Sequence, residues 1–351
     1  MKYGKVISLL AVLVMLASCK KDPPNDPPYV TTPYIFEYAN YFASLKQPDD
    51  NVATQEGVAL GRLLFFDKRL SADNTMSCGS CHFPEHSFSD PSATSVGIDG
   101  IFGTRNSMTL VNLAWQKRFF WDERSESLEV QALEPVPNPI ELHQSWPDAL
   151  DKLQADANYP TLFKQAFGTS TITEDLVAKA IAQFERSIIS FNSKFDQYLR
   201  GEVALTPSEI RGFDLFESER GDCFHCHGSI NTGFQFSDNI AHNNGLESIP
   251  VDSGLFLVTN NPADIAKFKT PTLRNIEFTA PYMHDGRFQT LEEVIEHYDM
   301  GGHPSPTIDP LMKASGIGRN WTAEEKADLV NFLKTLSDPA FLTNPAFQDP
   351  Y

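Results

Sequence analysis

Two short runs carry the most chemistry in this chain: Cys78-Gly79-Ser80-Cys81-His82 and Cys223-Phe224-His225-Cys226-His227. Two sulfurs three residues apart can form thioethers to both vinyl groups of one porphyrin, and the histidine that follows can bind its iron. C-x-x-C-H is therefore the attachment signature of c-type haem. A zinc site and a redox dithiol compete for a single such motif. Two copies, with Cys19 the one other cysteine, favour two covalently bound haems with His82 and His227 on the irons.

Two haems in one chain imply electron transfer between them, and catalysis further requires an open iron position with an acid or base beside it. The segment after the first motif supplies candidates in Asn106, Trp121, Gln131 and Glu141. Taken alone, Trp121 reads as a core tryptophan and Glu141 as a surface carboxylate.

The elements that must position these residues read as helices. Thr206-Pro207-Ser208-Glu209, Thr290 to Glu293 and Thr322 to Glu325 are capping boxes, the first with Pro at the opening helical position. Leu176, Ala180, Ile181, Phe184 and Ile188 keep helical spacing, as do Leu329, Phe332, Leu333 and Leu336. Gly61-Arg62-Leu63-Leu64-Phe65 and Gly212-Phe213-Asp214-Leu215-Phe216 each precede a haem motif and look like one repeated unit. No long alternating strand pattern occurs, and 84–106, 134–147 and 299–320 read as loops. The expected fold is all-α, with two cytochrome-c-like domains at 35–200 and 201–345, each carrying one haem.

Residues 1–18 read as a signal peptide. Lys2 and Lys5 precede an apolar run from Val6 to Leu16, and Leu16-Ala17-Ser18-Cys19 forms a lipobox. The run is too short for the ~20 residues of a membrane span. Cys19 is thus the expected lipidation site, and the Pro-rich stretch at 19–34 a flexible tether. The expected location is the periplasmic side or surface of a bacterial envelope, at the outer membrane. A formal charge of −18 argues against nucleic acid, which needs clustered Lys and Arg, and suits a basic partner.

The chain resembles the bacterial dihaem cytochrome c peroxidase family, which includes the MauG-like enzymes. The likeness extends from about Glu56 to Leu336. It is carried by Gly103-Thr104-Arg105-Asn106, Phe120-Trp121-Asp122, Leu128-Glu129-Val130-Gln131-Ala132, Lys269-Thr270-Pro271-Thr272-Leu273-Arg274-Asn275 and Pro281-Tyr282-Met283-His284-Asp285-Gly286, in order around the two haem motifs. The resemblance implies a peroxidatic haem on His82 and an electron-transfer haem on His227. It makes Trp121 the relay between them and Glu141 the acid/base of the peroxide pocket, with Gln131 nearby. It also implies a calcium ion held by the Asn106 side chain and the Thr279 and Pro281 carbonyls. Oxygen donors of this kind suit calcium.

The chain departs from the family pattern in two places. Many members carry a distal histidine about 16 residues after the first haem histidine; here Ile98 stands at that count, so the first haem is expected to be open to peroxide without prior reduction. Where the peroxidase pattern has a methionine, fourteen residues after His284, this chain has Tyr298, as in the MauG-like branch. Tyr298 is the expected distal ligand of the second haem, with Met300 the alternative and His297 behind it. An anionic tyrosinate would lower that haem's potential relative to a thioether.

The expected activity is reduction of hydrogen peroxide to water with electrons from a small donor protein such as a cytochrome c. A MauG-like oxidation of a partner protein is the alternative, and a non-catalytic electron carrier a more distant one. A homodimer is compatible with each.

Overall fold

The computed structural model describes residues 29–351; the signal peptide, Cys19 and most of the tether lie outside the described residues. The helices are α1 (Gln55–Phe66), α2 (Leu128–Leu133), α3 (Trp146–Gln154), α4 (Tyr159–Phe167), α5 (Glu174–Ser187), α6 (Lys194–Leu199), α7 (Pro207–Phe216), α8 (Phe224–His227), α9 (Phe256–Thr259), α10 (Leu291–Asp299), α11 (Ala323–Lys334) and α12 (Pro339–Leu342). Among the described residues the only sheet is an antiparallel pair, β1 (Ala241–His242) and β2 (Phe268–Lys269), with Ala241 opposite Lys269. None of these helices is long and apolar enough to cross a membrane.

The three capping boxes start α7, α10 and α11: Thr206, Thr290 and Thr322 each accept from the backbone N–H three residues on, and each N3 glutamate reaches back. The stretch 84–106 holds no α-helix; α10 runs to Asp299, the first residue of the stretch 299–320 read as loop, and α3 begins at Trp146, inside the stretch 134–147.

The repeat glimpsed around Gly61 and Gly212 is the organising device of the fold. A Cβ on Gly61 of α1 would stand 1.9 Å from the Ala180 carbonyl oxygen of α5. One on Gly212 of α7 would stand 2.0 Å from the Asp328 carbonyl oxygen of α11. In each case the missing side chain lets two helices touch backbone to backbone. One turn later the same phenylalanines lock each crossing. Phe65 meets Phe184 at 5.4 Å and 60°, and Phe216 meets Phe332 at 5.2 Å and 58°. Gly61→Ala and Gly212→Ala should each cost about 1–3 kcal/mol, because two backbones must move apart. A chemical denaturation midpoint unchanged by either substitution would refute the crossing.

Each crossing seeds its own apolar cluster. The first gathers Leu64, Phe65, Phe88, Ile181 and Phe184; the second gathers Phe195, Phe216, Phe236, Leu329 and Phe332. The chain ends do not respect this division. Phe341 and Phe347, beyond α11, join the first cluster. At the other end Tyr41 packs on Phe234 and donates to Asp196. Asp196 also holds the fully buried Arg274 guanidinium, with Nη1 to Oδ2 at 2.9 Å. Burial opposes ionisation of Asp196, yet Arg274 keeps its carboxyl below the usual range. Arg274 Nε donates to the Phe234 carbonyl and Thr272 Oγ1 to that of Gln235, so much of the 269–275 motif serves to staple the second cluster.

Candidate functional site: two cavities with a shared wall

One cavity is lined by Cys78, Cys81 and His82, the other by Cys223, Cys226 and His227. Among the described residues none of these four cysteines is paired in a disulfide. Burial pushes the Cys81 thiol up to about 11 and that of Cys223 to about 12. The two histidines are held alike. His82 Nδ1 lies 2.9 Å from the Phe88 carbonyl, and His227 Nδ1 lies 3.3 Å from that of Phe236. Both phenylalanines sit at positive φ, 60° and 54°, and their rings pack on Phe65 and Phe216 at 5.9 and 6.0 Å. This strained backbone turns a carbonyl towards each histidine. With Nδ1 engaged, Nε2 is the nitrogen left for a metal. Burial also keeps both imidazoles neutral, lowering His227 to about 4, and neutral is the ligating form.

The first cavity brings together Asn106, Trp121, Gln131 and Glu141 with its haem motif. His82 is the one histidine on its wall; His86 and His143 are elsewhere, His143 at the surface against Asp99. Glu141 is oriented by Asn138, whose Nδ2 donates to Oε1 at 2.7 Å and whose carbonyl accepts the Glu141 N–H. Burial raises the Glu141 pKa, and the Asn138 hydrogen bond opposes the rise in part.

The segment around Ile98 supports the Glu141 backbone. Ile98 N–H donates to the Glu141 carbonyl at 3.0 Å. A Cβ on Gly97 would stand 2.2 Å from the Ile140 carbonyl oxygen and 2.8 Å from that of Glu141. Gly97→Ala should therefore displace the Glu141 loop. A misplacement of about 1 Å can cost on the order of 100-fold in rate. A variant with unchanged peroxide turnover would show that this support is dispensable.

Tyr298 lines the second cavity, on the inner face of α10. Its hydroxyl accepts from Asn244 Nδ2 at 3.2 Å, and the same amide lies 3.5 Å from the Met283 sulfur, which also faces the cavity. Burial raises Tyr298 to about 12, opposed by the Asn244 hydrogen bond. Met300 caps the end of α10, is 55% exposed and is not on this wall. His297 Nε2 turns instead to the Asn244 carbonyl, 3.0 Å away.

Trp121 and Lys269 are the residues that line both cavities. Trp121 Nε1 donates to the Asn106 carbonyl at 2.9 Å, and the Trp121 carbonyl accepts the Lys269 N–H at 2.8 Å. Asn106 is buried; its N–H donates to the His284 carbonyl and its Nδ2 to that of Ser92, leaving Oδ1 as the side-chain acceptor. Thr279 precedes the cis Ala280–Pro281 bond, of which Pro281 is the second residue, and neither Thr279 nor Pro281 lines a cavity.

The cavities fit an acidic, largely apolar macrocycle. Each has two sulfurs and one imidazole in sequence, set among apolar side chains. Buried donors also face them without adequate partners. Arg319 Nε, at the second cavity, has none, and Lys269 has a single one. Sequence reading missed Lys269 as a site residue although it opens a recognised motif, and missed Gly97, Met283 and Asn244. For Asn244, in a polar loop, no local signal existed.

The two cavities are built on one repeated cysteine–histidine plan. Residues 55–204 match the family model described as di-haem cytochrome c peroxidase. The chain is 37% identical over 306 residues to the methylamine utilization protein MauG of Methylorubrum extorquens, covering 86% of this chain and 84% of that one. It is 35% identical over 279 residues to cytochrome c551 peroxidase of Nitrosomonas europaea, covering 79% of each. A crystal structure of a MauG-like protein associated with microbial copper homeostasis superposes with a TM-score of 0.80 at 37% identity, covering 94% of this chain and 99% of that one. The chain belongs to the di-haem cytochrome c peroxidase family.

Proposed function

We propose that the protein reduces hydrogen peroxide to water in the first cavity, with electrons that a small donor protein delivers at the second cavity and that pass by way of Trp121. The observation that carries this reading is the joint placement of Glu141 and Gln131 in the first cavity with Trp121 on the wall common to both. In this reading two cytochrome-c-like domains, 35–200 and 201–345, each hold one covalent haem c, through Cys78, Cys81 and His82 and through Cys223, Cys226 and His227.

When bound, the haems supply the electrons and the site at which peroxide is taken up. The chain's own residues manage the protons. Glu141 Oε takes a proton from one peroxide oxygen and returns it to the other, which leaves as water. Two electrons and two protons in all convert one peroxide to two waters. Asn138 keeps the carboxylate aimed, and Gln131 flanks the same space. A calcium ion on Asn106 Oδ1 and the Thr279 and Pro281 carbonyls would brace the loop that carries the Trp121 contact. Cys19 would tether the protein to the envelope through lipid.

Because His82 is the one histidine on the first wall, the resting oxidised protein should react with peroxide without prior reduction. Electron paramagnetic resonance of the oxidised form should show one high-spin haem. Two low-spin, six-coordinate signals would refute an open first site. Tyr298 at the second cavity favours one further reading, peroxide-driven oxidation of a partner protein. A tyrosinate there would disfavour acceptance of electrons from a high-potential donor.

A further inference from the structure

Lys269 is among the largest fully buried side chains of the protein, at 2% exposure, and it stands on the wall that both cavities share. Its position is over-determined. Strand β2 pairs with β1 at Ala241, the Lys269 N–H is bound to the Trp121 carbonyl at 2.8 Å, and Thr270 Oγ1 donates to the Ile240 carbonyl at 3.1 Å. An ammonium group carries three donors. Among the described residues Lys269 Nζ makes one hydrogen bond, to Gln116 Oε1 at 2.6 Å. Glu123 is the nearby carboxylate that acts on it electrostatically, yet Glu123 Oε1 is itself buried without a hydrogen-bond partner.

A buried cation with one neutral acceptor is costly unless an anion completes its shell. A porphyrin of the haem type carries carboxylates on one edge, and Lys269 lines both cavities. We propose that Lys269 is the shared counter-charge for the acidic edges of both haems, and that its one positive charge raises the reduction potential of each. Reduction adds one electron to a haem, and a buried cation close to both favours that state through a low-dielectric wall. It rests on the reading that each cavity holds a haem. Lys269 acts here as a positioning and tuning residue next to Trp121, with no part in the proton transfers.

The test is spectroelectrochemical titration of the purified dihaem protein, comparing Lys269→Met, Lys269→Gln and Lys269→Arg. Both neutral variants should shift the reduction equilibrium of both haems at least tenfold towards the oxidised form, about 59 mV for a one-electron couple. Lys269→Arg should restore both potentials. Movement of one potential alone, or of neither, would overturn the shared role. Should the neutral variants fail to load haem, covalent haem is counted in denatured protein. Loss of both haems with loading restored by Arg supports the shared counter-charge, whereas loss of one alone overturns it. The potentials are read without peroxide, so a protein that fails as a peroxidase but shows both shifts separates this inference from the functional reading.

Discussion

Glu141→Gln is expected to lower peroxide turnover by about 100- to 10,000-fold, the range in which a positioned general acid/base contributes. The amide keeps the size of the side chain and its hydrogen bond with Asn138, so haem content and fold should be unaffected. The pH dependence follows from the same residue. Glu141 must be ionised to take the first proton, and burial holds its pKa above the ordinary glutamate value. Activity should fall as pH drops through that raised pKa, so the acid limb of the native profile lies above about 4.3, the value for an unperturbed glutamate. In Glu141→Gln that limb should vanish. A steady-state pH profile of both proteins measures the two effects together, and equal turnover would remove Glu141 from the chemistry.

Tyr298→Met is expected to raise the potential of the second haem by hundreds of millivolts, within the ~0.8 V range that axial ligands span. In the proposed arrangement a neutral thioether in place of a tyrosinate would withdraw the anionic donor that favours ferric iron. Met300→Leu should leave the same potential unchanged, because Met300 is at the surface, clear of the cavity. Spectroelectrochemistry of the two variants discriminates these outcomes. A second-haem potential that ignores Tyr298→Met would take Tyr298 off the iron.

Much of this arrangement was legible in the residues themselves. The capping boxes at Thr206, Thr290 and Thr322 specify helix starts through local chemistry, and each helix begins there. The two C-x-x-C-H runs announce themselves because their function needs fixed local spacing. Other features depend on contacts between distant segments. Gly61 and Gly212 looked like a weak repeat, and their reason emerges only where α5 and α11 bring up carbonyl oxygens. Nothing around Gly97 says that it supports the backbone of Glu141, and nothing around Asn244 says that it reaches Tyr298 and Met283 at once. Lys269 was visible as the first residue of a motif, but its burial between two cavities is a property of the folded chain.

The central claim is that electrons taken at the second site reduce peroxide at the first, and stoichiometry tests it most directly. Purified dihaem protein would be mixed with limiting hydrogen peroxide and an excess of a reduced small cytochrome c, and the oxidised cytochrome counted. Two cytochromes oxidised per peroxide, with the yield retained but the rate much reduced in Glu141→Gln, is the expected result. Peroxide consumed with no cytochrome oxidised would contradict it.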